Sequence, residues 1–131
     1  MVNGRNKGAA FEREVAKMLL DDLGMKFKRD IEQYREADHG DLICEDPDFP
    51  FTLELKRYKE GSLHKPAWWQ QCVTAAKAQR KIPALVYKYD RQPIRCVVHI
   101  SAVMGDLTDP YGEDTVTMSW DTFMYFIREM I

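Results

Sequence analysis

Apolar residues at helical spacing mark three segments of the 131-residue chain. Residues 8–23 carry an apolar stripe and end before Gly24, which predicts an amphipathic helix closed by a C′ glycine. Residues 66–80 predict a second helix with Pro66 in its first turn, where proline is favoured. Residues 120–130 predict a third helix near the end of the chain.

Between these helices, alternation and short apolar runs predict strands. Phe51–Lys56 alternates strictly between apolar and polar side chains, as a strand with two different faces does. Further strands are predicted at Met25–Arg29, Asp41–Cys44, Pro83–Tyr89, Ile94–Ile100 and 115–118. Residues 30–40 and 45–48 are polar and predict a loop and a turn. This order predicts one α/β domain over residues 1–131, with a mixed central sheet flanked by helices.

Composition indicates an ordinary intracellular globular protein. Hydrophobic residues make up 45% and charged residues 31% of the chain, and no apolar run reaches the ~18 residues that span a bilayer. The N-terminus has no signal-like apolar stretch, so we expect neither export nor a membrane partner. Three cysteines without CxxC spacing indicate reduced core residues in a cytoplasmic protein.

Charge is distributed unevenly along the chain. Residues 51–100 carry 10 Lys/Arg and 3 Asp/Glu, whereas residues 1–50 carry 8 and 12, and residues 101–131 carry 1 and 6. The basic middle third is either a docking surface for a polyanion or a solvated, lysine-rich surface. The charge pattern alone does not separate these two interpretations.

Two acidic residues and one lysine are predicted to share one region of the sheet. In a strand over Phe51–Lys56, Glu54 and Lys56 lie on one face, about 7 Å apart. A turn after Cys44 would place Asp41 beside Glu54 on an adjacent antiparallel strand. Two facing carboxylates repel unless a cation lies between them. The alternatives are a surface ion pair between Glu54 and Lys56, and an Asp41 that only caps a turn.

Glu12 lies on the apolar side of the first predicted helix. At about 3.6 residues per turn, Glu12 falls between Leu19 and Leu23 on the helical wheel, whereas Glu14 falls at the edge of the apolar arc. A glutamate on a buried stripe needs a partner. That partner is either a metal ion beneath the helix or a buried arginine or lysine.

These residues together resemble the PD-(D/E)xK nuclease superfamily, and within it the archaeal-type Holliday-junction resolvases and their phage relatives. The resemblance rests on the segments 7–14, 40–43, 53–56 and 81–87. It covers about residues 5–100 and leaves residues 101–131 as a C-terminal extension without an assigned role. Gly40 stands where the motif usually has a proline before the aspartate.

The resemblance implies a restriction-endonuclease-like fold and a metal-dependent endodeoxyribonuclease. It implies that Glu12, Asp41, Glu54 and the Leu55 backbone carbonyl hold Mg²⁺ or Mn²⁺, and that Lys56 acts on the attacking water. It also implies a phage-encoded protein that acts in the host cytoplasm in DNA recombination, with branched DNA as its partner. We expect a homodimer, because resolving a junction requires two cuts and the domain has one candidate site.

Contacts with DNA are predicted from basic and polar residues that flank the acids in sequence. Those proposed to reach phosphates are Lys7, Arg13, Arg35, Arg57, Lys59 and Lys65. Trp68 either contacts DNA or packs half-buried, and Gln71 points away from the apolar stripe of its helix, as in relatives that place a glutamine near the metal. His39, His64 and His99 lack metal-ligand spacing, and His99 is interpreted as structural.

Three other functions stay open at this point. The protein could cut ordinary duplex or single-stranded DNA, or be a non-catalytic DNA-binding module of the same fold. It could also be an interaction domain whose basic middle meets an acidic partner.

Overall fold

A computed structural model describes residues 4–29 and 41–131 of the chain. Its helices are α1 (Gly4–Leu23), α2 (Pro66–Gln79), α3 (Ile100–Val103) and α4 (Trp120–Met130). Its strands are β1 (Phe27–Arg29), β2 (Leu42–Cys44), β3 (Phe51–Tyr58), β4 (Ile82–Tyr89), β5 (Arg95–His99) and β6 (Thr115–Ser119). No helix in this part of the chain is long and apolar enough to cross a membrane.

The six strands form one mixed sheet in the order β1-β2-β3-β4-β5-β6. Strands β3 and β4 are parallel, joined by the crossover helix α2, and every other neighbouring pair is antiparallel. Parallel neighbours need such a crossover, whereas antiparallel neighbours can be joined without one. The predicted α/β class with a mixed central sheet is therefore confirmed.

The sheet separates two apolar cores. The first contains Phe11, Val15 and Leu19 of α1 with Leu53 and Leu55 of β3. The second lies beneath α2 and is formed by Trp68, Trp69, Cys72, Val73, Leu85, Tyr87, Tyr89 and Val97. Because β3 contributes Leu53 and Leu55 to the first core, its alternate residues face the helix α2.

The segment after Ser101 is built into the first core. Trp120, Phe123, Met124 and Ile127 of α4 are buried there, and β6 pairs with β5 along its whole length. The indole Nε1 of Trp120 donates to Asp22 Oδ2 at 2.7 Å, which ties α4 to the end of α1. The part that the sequence treats as an extension thus has a structural role.

Several elements differ from the sequence-based prediction by one or two residues at an end, and two differ by more. Helix α1 begins at Gly4 and not at residue 8. The single turn α3 replaces the predicted end of the strand at Ile100, because the His99 side chain accepts a hydrogen bond from the Ser101 backbone N–H and caps a new helix. Histidine is not among the usual N-cap residues, so the sequence carried no clear signal for this turn. The sequence-based interpretation of His99 as a structural residue agrees with this hydrogen bond from Ser101.

Replacement of Phe123 by alanine should strongly destabilise the protein. Phe123 is fully buried in the first core, and removing such a ring costs about 3–5 kcal/mol. Tyr125→Ala on the same helix is the matched control, since Tyr125 is 65% exposed and should cost within about 0.5 kcal/mol. Urea denaturation measures both. Equal stabilities of the two variants would contradict the packing of α4.

Candidate active site

The register of β2 and β3 places two carboxylates side by side. Leu42 lies opposite Leu53 in this antiparallel pair, which brings Asp41, the residue before β2, close to Glu54. Both side chains are buried, with Asp41 5% and Glu54 1% exposed. The predicted proximity of Asp41 and Glu54 is thus present in the structure.

Asp41 is fixed to β3 through its backbone and its side chain. Its N–H donates to the Leu53 carbonyl at 2.9 Å, and its Oδ2 accepts the Leu55 N–H at 2.5 Å. The second bond continues the pairing of β2 with β3 one residue before β2 begins. Asp41 therefore forms hydrogen bonds to the neighbouring strand β3 and does not only cap its own turn.

Glu54 is held in an environment that disfavours its charge. Burial, and next the nearby Asp41 carboxylate, raise the pKa of Glu54 to about 9, although Lys56 acts in the opposite direction. Its Oε2 is buried and has no hydrogen-bond partner among residues 4–29 and 41–131. An unpaired buried carboxylate oxygen is costly unless a proton or a cation compensates for it.

Lys56 shares this face of β3 and is oriented by α2. Its Nζ donates to Gln71 Oε1 at 2.8 Å and lies 3.9 Å from Glu54 Oε1. The Lys56 side chain is 19% exposed, whereas that of Glu54 is 2% exposed, so Lys56 borders the solvent and Glu54 does not. The expected position of Gln71 close to the acidic pair is consistent with this contact.

Glu12 approaches the pair from α1 but is directed at Arg29. Glu12 is buried, whereas Glu14 is exposed, as the helical wheel indicates. The Arg29 Nε donates to Glu12 Oε2 at 2.6 Å, which is the ion pair that the sequence left open as an alternative. Glu12 still contributes to raising the pKa of Glu54, as the smallest of the causes.

The acidic pair has the chemistry that a hard divalent cation requires. Such ions take oxygen ligands from carboxylates and carbonyls. In a strand, the N–H and C=O of one residue point to the same side, so the Leu55 carbonyl is directed towards the side on which its N–H meets Asp41. Within residues 4–29 and 41–131, no three His, Cys, Asp or Glu side chains are grouped as a ready metal cluster. The arrangement therefore offers Asp41, Glu54 and Leu55, with Glu12 engaged by Arg29.

Two of the predicted phosphate-binding residues share one carboxylate. Asp90, in the turn after β4, lies 3.2 Å from the Lys7 Nζ and 2.6 Å from the Arg57 Nη2. These hydrogen bonds, first that of Arg57 and then that of Lys7, lower the pKa of Asp90. Two cations on one anion leave a net positive cluster at the end of β3.

The other predicted DNA contacts lie in different environments. Arg13, Lys59 and Lys65 are exposed, whereas Arg35 lies outside the described residues. Trp68 is 6% exposed and belongs to the second core, so the geometry supports its packing role and leaves little of it for direct contact with DNA.

Two partners of the site were absent from the sequence-based set. Arg29 shares one face of a three-residue strand with the partly buried Phe27, a pattern too short to single out a partner for Glu12. Asp90 sits among turn residues, where aspartate is common for local reasons. Arg29 is identified only by its ion pair with Glu12, and Asp90 only by its ion pairs with Lys7 and Arg57.

A family model described as "Phage putative PDDEXK endonuclease" matches residues 3–130. The chain belongs to this family. The match extends through the C-terminal segment, which agrees with the packing of α4 in the first core. The predicted PD-(D/E)xK membership is confirmed, and membership of an endonuclease family identifies the protein as a nuclease.

Structural comparison agrees with this assignment. The solved structure of Hjc, a Holliday junction resolvase from the archaeal hyperthermophile Archaeoglobus fulgidus, aligns with a TM-score of 0.53 and 19% sequence identity. The alignment covers 89% of this chain and 87% of that chain. At this identity the likeness shows a common, restriction-endonuclease-like fold. None of the curated proteins compared matches the chain.

In the absence of metal, stability should fall as the pH rises. The folded endonuclease keeps the Glu54 proton up to about pH 9, whereas the unfolded chain releases it near 4.5. The folded state therefore binds more protons in this window, and stability declines by up to about 1.4 kcal/mol per pH unit.

Urea denaturation in EDTA at about pH 6 and about pH 8 tests this slope. Glu54→Gln should flatten it, because the amide does not titrate, whereas Glu14→Gln on the exposed side of α1 should leave it unchanged. Identical slopes for wild type and Glu54→Gln would contradict the raised pKa.

Proposed function

We propose that this endonuclease is a metal-dependent DNA nuclease that selects branched DNA such as Holliday junctions and acts as a homodimer. The observation that carries the proposal is the buried pair of Asp41 and Glu54, with Lys56 next to it and an oxygen of Glu54 that has no hydrogen-bond partner in the described part of the chain. The family assignment supports nuclease chemistry, and the site supports the metal.

Asp41, Glu54 and the Leu55 carbonyl would hold Mg²⁺ or Mn²⁺, since all three supply oxygen. Such an ion neutralises charge on the phosphate and favours a deprotonated water as nucleophile. Glu12 would join as a ligand if its ion pair with Arg29 opens. The absence of histidine and cysteine from this set favours a hard cation over zinc.

Lys56 would act on the attacking water and the phosphate. Gln71 receives one N–H of its ammonium, which leaves other donors for a water or a phosphoryl oxygen. Donors oriented in advance stabilise developing negative charge at little reorganisation cost. Gln71 is in this proposal a positioning residue for Lys56.

Phosphates on either side of the cut would meet the basic residues near the end of β3. Lys7, Arg57, Lys59 and Lys65 supply positive charge there, and Arg13 supplies it on α1. Contacts of this kind position the nucleic acid without reading its sequence. Recognition would then depend on the path of the DNA backbone, which suits a branched substrate.

Replacement of Asp41, Glu54 or Lys56 by alanine should reduce cleavage by at least about 100-fold while DNA binding persists, since groups that stabilise the transition state are removed and the phosphate contacts remain. Chelation of divalent ions should abolish wild-type cleavage. Cleavage of plasmid DNA and electrophoretic binding in EDTA measure the two properties.

Glu12→Gln should impair cleavage more than Glu14→Gln, because only Glu12 is buried next to the acidic pair. Glu14→Gln therefore serves as the control. Wild-type rates in any of the three alanine variants, or cleavage that survives thorough chelation, would contradict the proposed site.

Selectivity for branches is tested with a synthetic four-way junction and a linear duplex of the same sequences. A two-fold dimer presents two identical sites related by the symmetry of the junction. Paired, symmetric nicks should exceed cleavage of the duplex by at least about 100-fold, and light scattering should give twice the 15.3 kDa of one chain.

Three outcomes would change the proposal in different ways. A monomer that cuts both substrates equally would leave a general duplex nuclease, and a preference for single strands would leave a single-strand nuclease. Binding without cleavage under all metal conditions would leave a non-catalytic DNA-binding module.

A further inference from the structure

An exposed tyrosine continues the row of site residues along β3. Glu54, Lys56 and Tyr58 lie on the same face of the strand because side chains alternate. Tyr58 is therefore about 7 Å beyond Lys56 along β3, by the usual strand rise. It is 43% exposed, whereas Glu54 is 1% exposed, so the row runs from the buried acids to the protein surface.

The ring of Tyr58 is held flat against a buried partner. Its centroid lies 5.0 Å from that of Trp68 and the two ring planes differ by 10°, a stacked arrangement. Trp68 in turn contacts Tyr87 and Tyr89 of the second core, with centroids 6.1 and 6.0 Å away. Trp68 therefore covers one face of the Tyr58 ring and fixes its orientation.

The surroundings of this ring favour a polyanion. The Lys65 Nζ lies 5.7 Å from the centroid of Tyr58 and 5.8 Å from that of Trp68. Arg57 and Lys59 flank Tyr58 in the sequence, and the Arg57 Nη1 donates to the Tyr58 carbonyl at 2.7 Å. Among the nearby acids, Glu60 is exposed and Asp90 is already paired with Lys7 and Arg57.

We propose that Tyr58 stacks on an unpaired base about two nucleotides from the phosphate that is cut, and so favours DNA with a branch, gap or splayed end over continuous duplex. The separation of about 7 Å between Tyr58 and Lys56 along β3 corresponds to about two nucleotides of a stacked DNA strand, at about 3.4 Å per nucleotide. Bases within a duplex are covered by their neighbours and offer no face to the ring. Base–aromatic stacking tolerates any sequence, as a structure-selective enzyme requires.

This inference rests on the proposed function, because it places the base relative to the site of cleavage. Tyr58 is a specificity-determining residue here, and Lys65 and Trp68 hold the stack in place. A tyrosine that only shields the second core from solvent would have the same exposure, so the test must separate stacking from packing.

Binding is measured in EDTA, so that it does not depend on cleavage, with a gapped duplex carrying one unpaired 2-aminopurine and with a matched intact duplex. Tyr58→Leu keeps an apolar side chain and removes the ring, and Tyr58→Phe keeps the ring. Tyr125→Leu removes an exposed tyrosine on α4 and is the control. Thermal unfolding confirms that all variants fold.

Tyr58→Leu should weaken binding of the gapped DNA by about 5- to 100-fold and change binding of the intact duplex by less than about 2-fold. Wild type, Tyr58→Phe and Tyr125→Leu should quench the 2-aminopurine fluorescence, and Tyr58→Leu should not. A substantially destabilised Tyr58→Leu is replaced by Tyr58→Met, with the same expectation.

Equal losses on both DNAs, unchanged binding of the gapped DNA, or a Tyr58→Phe variant that behaves like Tyr58→Leu would each overturn stacking. These results are separate from the proposed function. Quenching without any metal-dependent cleavage would refute the nuclease proposal alone, and cleavage without an effect of Tyr58→Leu would refute the stacking alone.

Discussion

The close approach of the buried Asp41 and Glu54 side chains is the constraint around which the site is arranged. The two buried carboxyl groups lie close together where β2 meets β3, and within the described residues one oxygen of Glu54 has no hydrogen-bond partner. A buried acidic pair lowers the stability of the folded protein relative to apolar side chains at the same positions. A fold that keeps this arrangement places it where several strands and two helices hold it in position.

The two faces of β3 divide the work between stability and chemistry. Leu53 and Leu55 anchor the strand in the first core, which α1 and α4 complete. The other face carries Glu54 and Lys56 beneath α2, where Gln71 orients the lysine. Because the same strand serves both faces, packing in the first core sets the positions of the acids on the opposite side.

Electrostatics along β3 change from acidic to basic within a short distance. The buried acids lie towards its middle, and the cluster of Lys7, Arg57 and Asp90 lies at its end with a net positive charge. A DNA backbone would thus be attracted to the basic end of β3. A divalent cation would then lie between the acidic side chains and the DNA phosphate. The net charge of −2 for the whole chain does not reveal this local asymmetry. Because exposed charges more than roughly 10 Å away are screened, the local charge matters more than the total.

Local sequence determined the elements and the identity of most candidate residues. Alternation placed Leu53 and Leu55 on one side and Glu54 on the other, and helical spacing distinguished the buried Glu12 from the exposed Glu14. These features depend on periods of 2 and about 3.6 residues, which are properties of neighbours in the chain. Tertiary structure decided which groups meet. Arg29 reaches Glu12 across 17 residues, Asp90 reaches Lys7 across 83, and Tyr58 gains its stacked partner from α2. Such contacts depend on the register of strands and the crossover between β3 and β4, and no local period encodes either of these.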